Sequence, residues 1–303
     1  MKQTRIRAAY LAAPKQQRNW DWRAAANFIC GGAGGGLLLF AAFAGFGRTA
    51  LLAALMAGMA LIGTGLTCVW FEIGRPWRAL NVYRHIATSW MTREAIVALA
   101  VFGCGVLALL TASLALAVVA GACGGAFLYS QARILAANKG IPVWRHPASV
   151  PLLVATGLAE GATLALAIGA LAGSRIGPGL LVAALMLVGV RAWAWWRYRA
   201  GLGVSGAPEA ALHVLDAFAP RLLWLGTVLP GLLLLALLLG LPGQRPVLVL
   251  AAVFAAGVGG WFKYTLVRRA AFTQGLAIDH IPARGRGPAG PAVKPGWNSL
   301  ARG

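Results

Sequence analysis

Long apolar runs, separated by short polar and basic clusters, fill most of the chain, at 24–46, 49–71, 95–111, 114–135, 149–172, 178–198, 222–240 and 246–266. Each is close to the ~20 residues a helix needs to cross a hydrocarbon core about 30 Å thick. Lipid offers no partner to an unpaired backbone group, so runs of this kind cross as helices. Only Thr111 and Ser113 interrupt the stretch 95–135, which is too long for one span and just long enough for two joined by a tight turn. The pattern predicts an all-α polytopic membrane protein with eight transmembrane helices. Residues 206–219 place Leu212, Leu215 and Phe218 at helical spacing, with Glu209, His213 and Asp216 on other faces. That periodicity predicts a short helix on the membrane surface. The chain thus divides into a basic N-terminal segment (1–23), a membrane domain (24–281) and a tail (282–303). The tail is rich in Gly, Pro and Arg, has no packable pattern and is expected to be disordered.

Composition supports this division. Hydrophobic residues make up 59% of the chain and charged residues 11%, against about 25% charged in a soluble domain. A net charge of +20 would suggest nucleic acid in a soluble protein, but here the basic residues crowd into short connections, as the positive-inside rule describes. With eight spans, the side holding both termini and the even-numbered connections carries 24 of the 27 Lys and Arg residues. The other side has Arg48, Arg175 and Arg245. Merging the third and fourth spans would destroy the asymmetry. Both termini are therefore expected in the cytoplasm, with the chain in a bacterial cytoplasmic (inner) membrane. No cleavable leader is expected, because the first 23 residues are basic and polar.

Few residues can carry chemistry. Cys30, Cys68, Cys104 and Cys123 stand singly without metal-ligand spacing, so no zinc or iron–sulfur site is expected. The four histidines lie at loops or surfaces, so neither a haem nor another metal is expected on this chain. The first span opens with Asn27 and places five glycines between Gly31 and Gly36, which suits close helix packing or a groove for a flat ligand. Glu160 falls near the centre of the fifth span, where an acid costs at least about 2.5–3.5 kcal/mol. It is expected to face the bundle, as a proton-handling group or as one end of an interhelical hydrogen bond. The connection from Glu72 to Glu94 carries an acid at each end and four arginines between. Thr92 can cap the third span with Glu94 in its first turn, and Glu72, disfavoured at a helix C-terminus, is expected to pair with Arg75 or Arg78.

The segment 72–94 resembles the connection between the second and third spans of membrane-anchor subunits of the dimethyl sulfoxide reductase type. These belong to a wider group with polysulfide and nitrite reductase membrane subunits. The residues that match are Gly74, Pro76, Arg78, Asn81, Ser89 and Glu94. The wording around them also resembles a branch serving phenylacetyl-CoA:acceptor oxidoreductase. The resemblance implies a subunit that holds a molybdopterin catalytic subunit and an iron–sulfur subunit on the membrane and exchanges electrons with quinone or quinol. It implies no redox cofactor on this chain. The family's functional acid falls on Glu94, and a histidine used upstream by some members is replaced here by Glu72. Quinone takes up or releases two electrons and two protons, so its head group needs polar partners in an apolar pocket near a bilayer surface. Glu94, Glu72, Arg78, Asn81 and Asn27 are the expected quinone-binding residues, and Arg75, Arg84 and Arg93 the expected docking residues for the partners. Two other readings stand beside this one: a transporter with Glu160 as its coupling acid, and a passive anchor whose pocket takes only lipid.

Overall fold

The structure, a computed structural model, describes residues 9–10, 13–73, 76–275 and 293–294. Gly74, Arg75, the side chain of Arg78 and most of the segment 282–303 lie outside the described residues. Among the described residues eight helices are long and apolar enough to cross a membrane. They are α1 (Trp22–Phe43), α2 (Arg48–Glu72), α3 (Trp90–Thr111), α4 (Leu114–Ala136), α5 (Ser149–Leu171), α6 (Pro178–Ser205), α7 (Glu209–Leu238) and α8 (Gln244–Arg269).

Their packing forms two four-helix rings. In the first, α1 packs on α2 and α4, and α3 closes the ring between them; in the second, α5 packs on α6 and α8, and α7 closes it. The rings meet where α1 lies against α5. Glycine makes that meeting possible: a Cβ on Gly36 of α1 would strike the backbone of Gly157 in α5, and one on Gly34 would lie 2.7 Å from the Gly58 carbonyl of α2. The glycine run is thus mainly a helix-packing surface, and none of its glycines lines the large cavity described below. At the side of the bundle where α8 ends, residues 13–21 run against that end and Gln16 pairs with Phe272. At that side Trp144 plugs the second ring, its Nε1 donating to the Leu266 carbonyl at 2.8 Å.

Three local expectations are corrected. The third span starts at Trp90 and is capped by Ser89, whose hydroxyl accepts from the Thr92 N–H. Thr92 instead donates its hydroxyl to the Val82 carbonyl, tying the connection down, and Glu94 lies beyond the first turn. Residues 209–220 are no separate surface helix but the first turns of α7, which continues through a π-helical stretch, Arg221–Val228, to Leu238. Leu215 and Phe218 are buried, so the stripe read as lipid-facing packs against protein. Finally, Arg191 and Lys263, counted with the loops, are buried inside the spans. Removing both from the 24 leaves 22 against 3, and the asymmetry survives.

The break between α3 and α4 falls where Thr111 and Ser113 suggested. Ser113 accepts from the Leu116 N–H, and Ala112 before it takes the left-handed conformation, φ 53°. A left-handed L-residue costs about 1–2 kcal/mol. Ala112→Gly should therefore raise stability by about 1 kcal/mol, read as a later thermal unfolding transition in detergent.

Candidate functional site

At the side where α8 ends, α1, α2, α3 and the 76–84 stretch enclose a cavity of about 510 Å³. This is the size range of small-molecule sites. Its described walls are largely aromatic and aliphatic, with Trp20, Phe28, Trp70, Trp77 and Leu80 among them, and among the described residues three polar side chains enter it: Asn27, Glu72 and Glu94. The helix starts explain the depth of the first and last. Asp21 caps α1, accepting from the Arg23 N–H at 2.7 Å. The Arg23 side chain also hydrogen-bonds to Asp21 and holds its carboxyl below the usual range. Asn27 then falls five residues into α1 and Glu94 four into α3, roughly 6–8 Å along each helix at 1.5 Å per residue. Both are nearly fully enclosed, at 5% and 7% exposure.

Asn27 begins a π-helical turn, Asn27–Gly31, a feature often found at functional sites. Its Nδ2 donates to Glu94 Oε1 at 3.2 Å, and its side chain has room because a Cβ on Gly65 of α2 would come within 2.9 Å of Asn27 Oδ1. Asn27 Oδ1 is buried without a partner. Gln131 of α4 donates from Nε2 to the Asn27 carbonyl at 2.9 Å. Glu72 accepts from the Asp21 backbone N–H at 3.4 Å, so a described partner of this acid is a main-chain group on α1's approach. Arg75 and the Arg78 side chain, its expected partners, lie outside the described residues.

Of the residues read from the sequence, the structure brings Asn27, Glu72 and Glu94 together. Asn81 is exposed and does not line the cavity. Arg84 is exposed, whereas Arg93 is partly enclosed. Arg93 donates from Nε to the Ile86 carbonyl and from Nη2 to the Ala87 carbonyl, with its guanidinium over Trp90. Arg93 therefore organises the connection rather than reaching outward. Gln131 was missed because a neutral amide near the end of an apolar run gives no charge signal.

Glu160 sits eleven residues into α5, about 17 Å along it, and is an ion-pair partner. Its Oε2 lies 2.5 Å from Lys263 Nζ of α8, each side chain 1% exposed. Arg191 of α6, also fully enclosed, donates to the Ala255 carbonyl and to Thr227 Oγ1. The acid expected to handle protons or to make an interhelical hydrogen bond thus forms a buried ion pair with a cation that the charge count had placed among the loops.

The family model described as DMSO reductase anchor subunit (DmsC) matches residues 28–205, more than half of the chain. No curated protein matches it.

Proposed function

The chain belongs to the DMSO reductase anchor subunit family, and on that premise we propose that its cavity is the site where quinone or quinol meets the complex. The family makes it a membrane anchor of a DMSO reductase-type oxidoreductase; the reactive role goes further. One observation carries it. A carboxyl, Glu94, and an amide whose carbonyl oxygen has no partner among the described residues, Asn27, stand together in a largely apolar cavity near a membrane boundary. A quinol hydroxyl donates to the Glu94 carboxyl, the proton acceptor, with the Asn27 amide beside it. Oxidation of the bound quinol releases two electrons to the iron–sulfur subunit and two protons, the first to Glu94. Reduction of quinone runs the same transfers in reverse. Glu72, held by the Asp21 N–H, lies on the cavity wall as a second acid for the remaining proton. The flat, aromatic walls suit the ring, and the exposed Trp77 and Leu80 at the edge suit entry from lipid.

The partners in this reading are an iron–sulfur subunit and a molybdopterin catalytic subunit, docked on the cavity side through Arg75, Arg84 and neighbouring arginines. Purification in mild detergent should bring both down with the chain, and the purified complex should oxidise a soluble quinol; the chain alone should not. A chain that transports solute in liposomes without partners would overturn the reading.

The basic side is assigned to the cytoplasm of a bacterial inner membrane. Reporter fusions at residue 85 and at the C-terminus should read as cytoplasmic, and a fusion after Arg175 as external. An external signal at 85 would move the docking side. A cytoplasmic CoA thioester, as the resemblance suggested, fits the assigned side as the catalytic subunit's substrate.

A further inference from the structure

The start of the glycine run admits two polar side chains from different helices. A Cβ on Gly31 would collide with the Gln131 amide, and one on Gly32 would lie 2.6 Å from Lys263 Nζ. The π-helical turn beside them supplies acceptors: Gln131 Nε2 donates to the Asn27 carbonyl at 2.9 Å and Lys263 Nζ to the Ile29 carbonyl at 3.4 Å. Between the two side chains lies a cavity of about 10 Å³, walled otherwise by Phe28, Leu128, Ala132 and Leu153. Space of that order takes one water and no more. Gln131 Oε1 is buried with no partner, and leaving such an oxygen unmet costs its desolvation. Lys263 has three N–H donors, of which one goes to Ile29 and one to Glu160 Oε2.

We propose that a single ordered water in this cavity accepts the third Lys263 proton and donates to Gln131 Oε1, making Gln131 and Lys263 positioning residues for Glu94. With Oε1 held on the water, the Gln131 amide presents its N–H to the Asn27 carbonyl, and Asn27 in turn donates from Nδ2 to the Glu94 carboxyl. A flipped amide would set oxygen against oxygen. The Lys263–Glu160 pair, outside the large cavity, thereby fixes the side chains within it. The link carries geometry and not protons, because the amides of Asn27 and Gln131 intervene and an amide nitrogen that donates has no lone pair with which to take a proton. The positioning role rests on the quinone reading; the water does not.

Radiolytic hydroxyl labelling of the full chain in lipid nanodiscs tests the water, since radicals formed from a bound water oxidise its neighbours. Leu128 and Leu153, both 3% exposed, should be labelled in the wild type and protected in Gln131→Leu. Absence of labelling at both in the wild type overturns the proposal. Should Gln131→Leu fail to fold, the Glu160→Met/Lys263→Met double variant serves the same comparison. Binding of a fluorescent hydroxyquinoline N-oxide, a quinone head-group mimic, tests positioning. Gln131→Leu and the double variant should each weaken it by about tenfold, the effect of one hydrogen bond. The triple variant should bind no more weakly than Gln131→Leu alone, because both changes act through one water. Additive losses overturn positioning. If Glu94→Gln leaves the mimic's affinity unchanged, the quinone reading fails, and the labelling result still decides the water.

Discussion

Glu94→Gln is expected to weaken binding of a quinone head-group mimic by about 10- to 100-fold while leaving the complex assembled. The estimate follows from the net worth of a hydrogen bond to an ionisable group, roughly 1.5–3 kcal/mol. Glutamine keeps the size of the side chain and an oxygen for the Asn27 Nδ2 donor, which lies 3.2 Å from Oε1, so α1 and α3 stay joined. What is lost is the proton acceptor and the second carboxyl oxygen, the one that Asn27 does not occupy. Turnover with quinol should fall further than binding, since the substitution removes the acceptor as well as the contact. Fluorescence titration of the mimic, beside co-purification of the iron–sulfur subunit, separates a site effect from a folding effect. An assembled variant with unchanged affinity would place the quinone elsewhere.

Glu160→Gln is expected to destabilise the chain by about 3–5 kcal/mol, the cost of leaving one member of a buried ion pair without the other. The cluster as it stands has one anion and two cations, Lys263 and Arg191, all enclosed. Removing the carboxylate leaves the Lys263 ammonium buried without its counter-charge. Glu160→Met/Lys263→Met restores the original net charge of the cluster, since Arg191 keeps its contacts with Ala255 and Thr227. Replacing a buried pair with apolar residues of similar volume is often neutral or better. The double variant should therefore unfold near the wild-type temperature although the single variant does not. Thermal unfolding in detergent, followed by size-exclusion, reads both. A single variant as stable as the wild type would mean that Glu160 and Lys263 do not share a charge pair in the folded chain.

The sequence by itself determined the solvent of each segment. Apolar runs of membrane length and the bias of Lys and Arg toward alternate connections placed eight helices, including the break at Ala112 that only two polar residues marked. The same reading singled out Asn27, Glu72 and Glu94, two of them because an acid at a membrane boundary is conspicuous and one because it opens the glycine run. Hydropathy, however, scores a residue that faces lipid and one that faces another helix alike, so it could not show that 209–220 belongs to α7 or which face of α1 meets α5. Nor could it place Lys263, which lies close enough to the end of α8 to resemble a loop charge. Its burial depends on the carboxylate that α5, a hundred residues away in the chain, brings to 2.5 Å. Gln131 carries no charge, so it reads as one more residue near a helix end until α4 packs on α1 and aims it at the Asn27 carbonyl. Which side chains meet was decided by how the two rings close around the glycines of α1, because partners drawn from six helices have no spacing in the sequence, only a distance in the fold.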